Sequence, residues 1–230
     1  MTAPASGSAP HPGRPAPAVE RRATDVAAAA VGLVILAAGM LAVRNGNVAG
    51  WERDAFEAVN GMPDWLHPVL WPFQQLGVVV WGPVLAVVAA IARRYRLAVA
   101  LVAVTVAKLV LERAVKAAVT RERPGTSIGD SAELRGDVSV GGESFVSGHA
   151  VMAAAMACVI APYLPRRWRP VVWLLVALVM VGRVYVGAHN PLDVVCGAGL
   201  GVAIGSLLNL ALGVPAEPVA TVRPAVSPSA

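Results

Sequence analysis

Apolar residues run along most of this chain in blocks of about twenty, and polar residues gather in the stretches between them. Six blocks stand out, at about 24–43, 68–92, 97–117, 147–164, 170–188 and 191–213. A helix of about 20 apolar residues spans a bilayer core, so the pattern predicts an all-α integral membrane bundle of six transmembrane helices. The third block is the least uniform, because Lys108, Glu112, Arg113 and Lys116 enter its second half. Pro72 and Pro83 predict kinks in the second, which neighbouring helices can satisfy. The segment "WERDAFEAVNGMPDWLHPVLWP" (51–72) mixes acids with aromatics and reads as an interfacial anchor, with Trp51, Trp65 and Trp71 at the headgroup level.

The two ends break this pattern. Residues 1–22 and 214–230 are rich in Pro, Ala and Ser, and both predict disordered tails around a membrane domain at 23–213. The first block is longer than a signal-peptide core and lacks a clear small-residue cleavage site, so it reads as a retained helix.

Composition agrees with a membrane protein: 57% of the 230 residues are hydrophobic and only 14% are charged. A net charge of +5 could suggest a nucleic-acid partner, but the basic residues form short clusters between apolar blocks. Those clusters orient the bundle instead. "RPAPAVERR" precedes the first span, "RRYR" (93–96) follows the second, and "RRWR" (166–169) separates the fourth and fifth. They alternate onto one face, which the positive-inside rule makes cytoplasmic, with both termini there and the protein multi-pass in the plasma membrane. The opposite face also carries Lys116, Arg121, Arg123, Arg135 and Arg183, and these need another reason. Cys158 and Cys196 both fall in apolar blocks and read as buried small residues, with no disulfide framework or metal spacing.

Three polar constellations fall on that opposite face. In "KAAVTRERP" (116–124), Lys116 and Arg123 are about two helical turns apart and can project from one side of the third span, with Pro124 stopping the helix. In "SFVSGHAVMAAA", Ser147 is placed to cap the fourth span, whose first amides form an anion site beside His149. In "GRVYVGAHNPLD" (182–193), Arg183 ends the fifth span, while Asn190 and Pro191 suit the start of the sixth. Asp193 can accept the His189 imidazole N–H, fixing its tautomer. Three cations around helix-end amides suit a phosphate and the charge of phosphoryl transfer. One histidine can attack phosphorus while the other protonates the departing oxygen. No set of His, Cys and carboxylates forms a complete metal site, so no cofactor is expected.

These motifs resemble the signatures of the type 2 phosphatidic acid phosphatase (PAP2) superfamily: K-x6-R-P, P-S-G-H and S-R-x5-H-x3-D. Order and internal spacing are kept across about 100 residues. The resemblance implies that His189 is the nucleophile of a phosphohistidine intermediate, with Asp193 behind it and His149 as general acid and then base. It implies phosphate contacts from Lys116, Arg123, Arg183, Ser147 and the Gly148 amide, and a lipid phosphate or pyrophosphate substrate. Candidates are phosphatidic-acid-type lipids and isoprenoid carriers such as undecaprenyl pyrophosphate. Two positions depart: Val146 stands for the usual Pro, and Gly182 for a Ser whose hydroxyl aids phosphate binding. The rival readings are a soluble vanadium haloperoxidase, which the membrane blocks oppose, and a transporter or scramblase. The latter predicts charges at mid-span rather than at helix ends. Gly197, Gly201 and Gly205 form a small-residue stripe expected to pack the sixth span into the bundle, with a homodimer face as its other use.

Overall fold

The computed structural model describes residues 19–216. The expected tails lie outside the described residues except at their inner ends, where β1 (Val19–Glu20) pairs antiparallel with β2 (Val214–Pro215). Between them, among the described residues, run nine α-helices: α1 (Ala23–Ala42), α2 (Gly50–Asn60), α3 (His67–Gln75), α4 (Trp81–Ile91), α5 (Tyr95–Ala118), α6 (Pro124–Ser127), α7 (Gly148–Ile160), α8 (Arg169–Tyr185) and α9 (Pro191–Leu212).

Among the described residues, three helical stretches are long and apolar enough to cross a membrane: Ala23–Ala42, Arg166–Tyr185 and Pro191–Leu212. The other expected spans depart from that form. α5 has the length but carries Lys108, Glu112, Arg113 and Lys116. The block at 68–92 is no single helix; it breaks between α3 and α4, and Gly77 in the break lies against the His149 backbone. The block at 147–164 yields the shorter apolar stretch Gly148–Tyr163.

α9 is the centre of the bundle, flanked by α1 and α7. Its small residues make this possible. A Cβ at Gly197, Gly201 or Gly205 would fall 2.7, 2.4 and 2.4 Å from Ser147 O, Val151 O and Cys158 Cβ respectively. The stripe is therefore consumed by α7 inside the chain and is not open as a homodimer face. The order of these contacts makes α7 and α9 parallel, so both helices begin at the same end of the bundle. α1 runs the other way, with Gly32 against Gly199 and Gly39 against Cys196. The paired strands consequently sit beyond the far end of α9, which lies about 29 Å from Asp193 at about 1.5 Å per residue. Both cysteines are free and buried.

Candidate active site

The common beginning of α7 and α9 gathers the expected residues. Ser147 takes the N-cap position of α7 with extended backbone (φ −69°, ψ 110°), and its N–H donates to Asp193 O at 3.0 Å. Its hydroxyl does not cap, contrary to expectation: Ser147 Oγ is buried and has no protein partner. A buried hydroxyl without a partner is unfavourable unless a ligand completes it. Gly148 and His149 follow in the first turn, so two parallel helix dipoles point their positive ends at one region.

Asn190 takes the N-cap position of α9 and Pro191 opens the helix, as the sequence predicts, so His189 stays outside it; the buried Asn190 Oδ1 has no protein partner. Gly187, at φ +75°, turns the chain between α8 and His189. The Asp193 carboxylate does not take the imidazole directly. Its Oδ2 lies 3.8 Å from His189 Nδ1, beyond hydrogen-bond range, and accepts from Asn190 N–H at 2.8 Å and from Ser144 Oγ at 2.5 Å. Ser144 Oγ stands 3.4 Å from His189 Nδ1, so the hydroxyl bridges the pair. Burial pushes the pKa of His189 down to about 4; the Asp193 carboxylate works against this, while Arg183 and Arg123 add to it. The imidazole is neutral at ordinary pH, the form a nucleophile requires.

The expected cations occupy three settings. Arg183 Nη1 donates to Gln74 Oε1 at 2.9 Å, while its buried Nε has no partner. Arg123 lies beyond α5, which ends at Ala118 when Val119 turns extended; Pro124 opens α6 rather than stopping α5. Arg123 Nη1 donates to Ala188 O at 3.2 Å, next to His189. Lys116 remains on α5, 3.0 Å from Glu112. His149 lies close enough to Arg183, Lys108 and Arg123 to feel their charge.

Sequence reasoning missed the support behind Asp193. Arg121 is wholly buried, with Nη1 2.7 Å from Asp193 Oδ1 and Nη2 2.5 Å from Glu52 Oε2. Burial opposes its charge, and Asp193 and Glu52 more than offset that, holding its pKa above the ordinary guanidinium value. The other Glu52 oxygen accepts from Leu192 N–H at 2.8 Å. The amphipathic helix α2 is therefore more than an anchor. Trp51 is 60% exposed, while Glu52, Phe56 and Asn60 form its buried face. The one signal available was an arginine inside "KAAVTRERP" on a face the positive-inside rule disfavours.

A Cβ at Gly182 would meet Gln74 Cβ at 3.4 Å and Leu70 O at 3.7 Å, so position 182 faces α3. Val146 is fully buried. Among the described residues, no group of three His, Cys, Asp or Glu side chains is arranged to hold a metal. A groove of about 680 Å³ between α4 and α5 is lined by small apolar residues such as Ala86 and Val102 and holds none of these groups.

Residues 95–213 match the PAP2 superfamily. The chain belongs to that superfamily, a phosphatase family, and its long apolar helices support a membrane localisation. No curated protein matches it. The fold is similar to that of LpxE from Aquifex aeolicus, at TM-score 0.63 and 24% identity over 71% of this chain and 96% of the other. It is also similar to a transmembrane PAP2-type phosphatidylglycerolphosphate phosphatase from Bacillus subtilis. There the TM-score is 0.61 and the identity 23%, over 80% of this chain and 94% of the other.

Proposed function

We propose that this protein hydrolyses a lipid phosphate or pyrophosphate at the non-cytoplasmic membrane interface through a phosphohistidine on His189, without a metal. The observation that carries this reading is spare bonding capacity: Ser147 Oγ and Arg183 Nε are buried without partners at the end where both helix N-termini and both histidines meet. His189 Nε2 attacks phosphorus while Nδ1 keeps its proton towards Ser144 and Asp193. The P–O bond to the lipid breaks as P–N forms, and His149 gives the leaving oxygen its proton. Water then attacks phosphorus, His149 takes the water proton, P–N breaks and orthophosphate leaves. Lys116, Arg123, Arg183, Ser147 Oγ and the Gly148 N–H hold the equatorial oxygens and their growing charge.

The pairing of β1 with β2 at the end of α9 away from Asp193 supports a site on the opposite side from both termini. The basic clusters make the terminal side cytoplasmic. A cysteine placed in the 125–145 loop then reacts with an impermeant label from outside; reaction only from the cytoplasmic side overturns this orientation.

Substrate class is tested with purified protein in detergent, given isoprenoid pyrophosphates and glycerolipid phosphates. Phosphatidylglycerolphosphate belongs in the panel because the B. subtilis neighbour is named for it. Wild type releases phosphate and His189→Ala does not. Equal release from both, or none from wild type across the panel, sinks the proposal, and loss of activity in EDTA contradicts its metal-free step.

A further inference from the structure

Lys108, Glu112 and Lys116 occupy successive i,i+4 positions of α5 and so share one helix face. Glu112 Oε2 lies 2.7 Å from Lys108 Nζ, and Oε1 lies 3.0 Å from Lys116 Nζ. All three are mostly withdrawn from solvent, at 13, 15 and 19% side-chain exposure along the helix. The same carboxylate rests against the first residue of α7. A Cβ added to Gly148 would come 2.4 and 2.6 Å from its two oxygens. Beside it stands Ser147, whose buried Oγ has no partner. Glu112 and Lys108 both lie outside the three signature motifs.

We infer that Glu112 is a resident counter-ion of the phosphate cradle, competing with substrate and product phosphate for Lys116. This rests on the reading of Lys116 and Gly148 as phosphate contacts. An unpaired ammonium is costly where water is scarce, so in the empty site Glu112 neutralises Lys116. A phosphate arriving at the start of α7 repels that carboxylate and takes over Lys116. Lys108 is the residue that lets this happen, because Glu112 keeps one cation when it gives up the other. When orthophosphate leaves, Glu112 recovers Lys116, so each turnover ends against a ready competitor. The glycine of Ser-Gly-His acquires a second reason: a side chain there would occupy the space of the Glu112 carboxylate.

Competition and simple net charge give different outcomes in inhibition of lipid phosphate hydrolysis by orthophosphate and orthovanadate. Each variant is also checked by thermal unfolding in detergent. Glu112→Gln binds both anions about tenfold more tightly, as expected for removing a rival charge-assisted bond. Lys108→Met, which leaves Glu112 on Lys116 alone, weakens both. The double variant Glu112→Gln/Lys108→Met restores the wild-type net charge of this trio yet still binds more tightly than wild type. Unchanged or weaker inhibition in Glu112→Gln overturns the inference, as does a double variant that returns to the wild-type value. Should Glu112→Gln not fold, Glu112→Asp, with its shorter reach to Lys116, tightens inhibition while Lys108→Met weakens it. Movement of both in one direction overturns the inference. A wild type that neither hydrolyses lipid phosphates nor binds either anion defeats the phosphatase reading itself, an outcome distinct from failure of the variants.

Discussion

Four arginines crowd the end of the bundle where α7 and α9 begin, and they divide into two pairs. Arg121 and Arg135 are held by carboxylates, although the buried Arg121 Nε, like that of Arg183, has no partner. Arg121 bridges Asp193 and Glu52 with no exposure. Arg135 binds Asp64 and Glu133, donates to the Asn60, Met62 and Tyr185 carbonyls, and lies 4.4 Å over the Tyr185 ring. Arg123 and Arg183 are not. Each makes one side-chain bond to a neutral oxygen, and the buried Arg183 Nε makes none. Among the described residues, no carboxylate holds either. The positive-inside rule counts all four alike; the partners show two that carboxylates fasten to the outer loops and a spare pair whose charge no carboxylate of the described residues neutralises. Spare capacity in a buried cation is what a phosphate can use.

The largest effect should come from the carboxylate-held pair. Arg121→Met leaves Asp193 and Glu52 as buried carboxylates without a counter-ion, and breaking such a pair costs about 3–5 kcal/mol. The expected outcome is loss of a monodisperse, cooperatively unfolding protein in detergent. If Arg121→Met instead folds like wild type and loses only activity, Arg121 belongs with the spare pair. Arg183→Gln gives the reverse. It removes one neutral bond to Gln74, so the thermal midpoint stays near wild type while kcat/KM falls by about 10²–10³. A folded Arg183→Gln with near-normal kcat/KM would break the division from the other side.

The two pairs also act differently on His189. Arg121 reaches it only through Asp193, whereas Arg183 and Arg123 help hold its pKa at about 4, after burial itself. In Arg183→Gln the imidazole should therefore titrate higher than in wild type, still below the ordinary value because burial persists, as followed by NMR of labelled histidine. The sign for stability follows. With a folded pKa of about 4 against about 6.5 unfolded, the unfolded chain takes up a proton as pH falls through that window and the folded chain does not. His189 thus adds to acid lability between those values, and His189→Gln should lose less stability there. Equal acid lability in both proteins would contradict the low pKa.

Ser144→Ala is expected to have a smaller effect. It leaves Asp193 3.8 Å from His189 Nδ1 with no hydroxyl between them. Phosphohistidine formation, measured by rapid quench, should slow on the order of 10²-fold, the lower range for a group governing proton placement. KM should hold, because Ser144 touches no predicted phosphate contact. A change confined to KM would show that the hydroxyl serves the substrate instead.

Helices and motifs were legible in the sequence because both are local. Apolar blocks located most of the helical stretches, and Asn190–Pro191 and Ser147–Gly148 marked two helix starts, with His189 as the other start considered for the sixth span. What escaped was set by contacts between distant residues. Arg121 meets Glu52 and Asp193 across 69 and 72 positions, distances over which helical periodicity carries no information. The hydroxyl between His189 and Asp193 comes from Ser144, 45 residues before the histidine. The end of α5 was misjudged because the spacing of Lys116 and Arg123 fits two helical turns, whereas the chain leaves the helix at Val119. Glu112 was visible at i−4 from Lys116, but only the fold brings Gly148 against it.

Gly182 gives the smallest expected effect. The family pattern has a serine there, and its loss suggests a missing phosphate contact. Yet a side chain at 182 would point at α3, with Gln74 Cβ and Leu70 O at ordinary contact distance. A hydroxyl could influence phosphate only through Gln74, which holds Arg183. Gly182→Ser should therefore fold normally and change KM by no more than about threefold, the scale of one neutral hydrogen bond. A tenfold fall in KM would mean that the new hydroxyl competes for Gln74 and releases Arg183 to the phosphate. Gln74 would then be the residue that decides how much of the spare capacity of Arg183 the substrate receives.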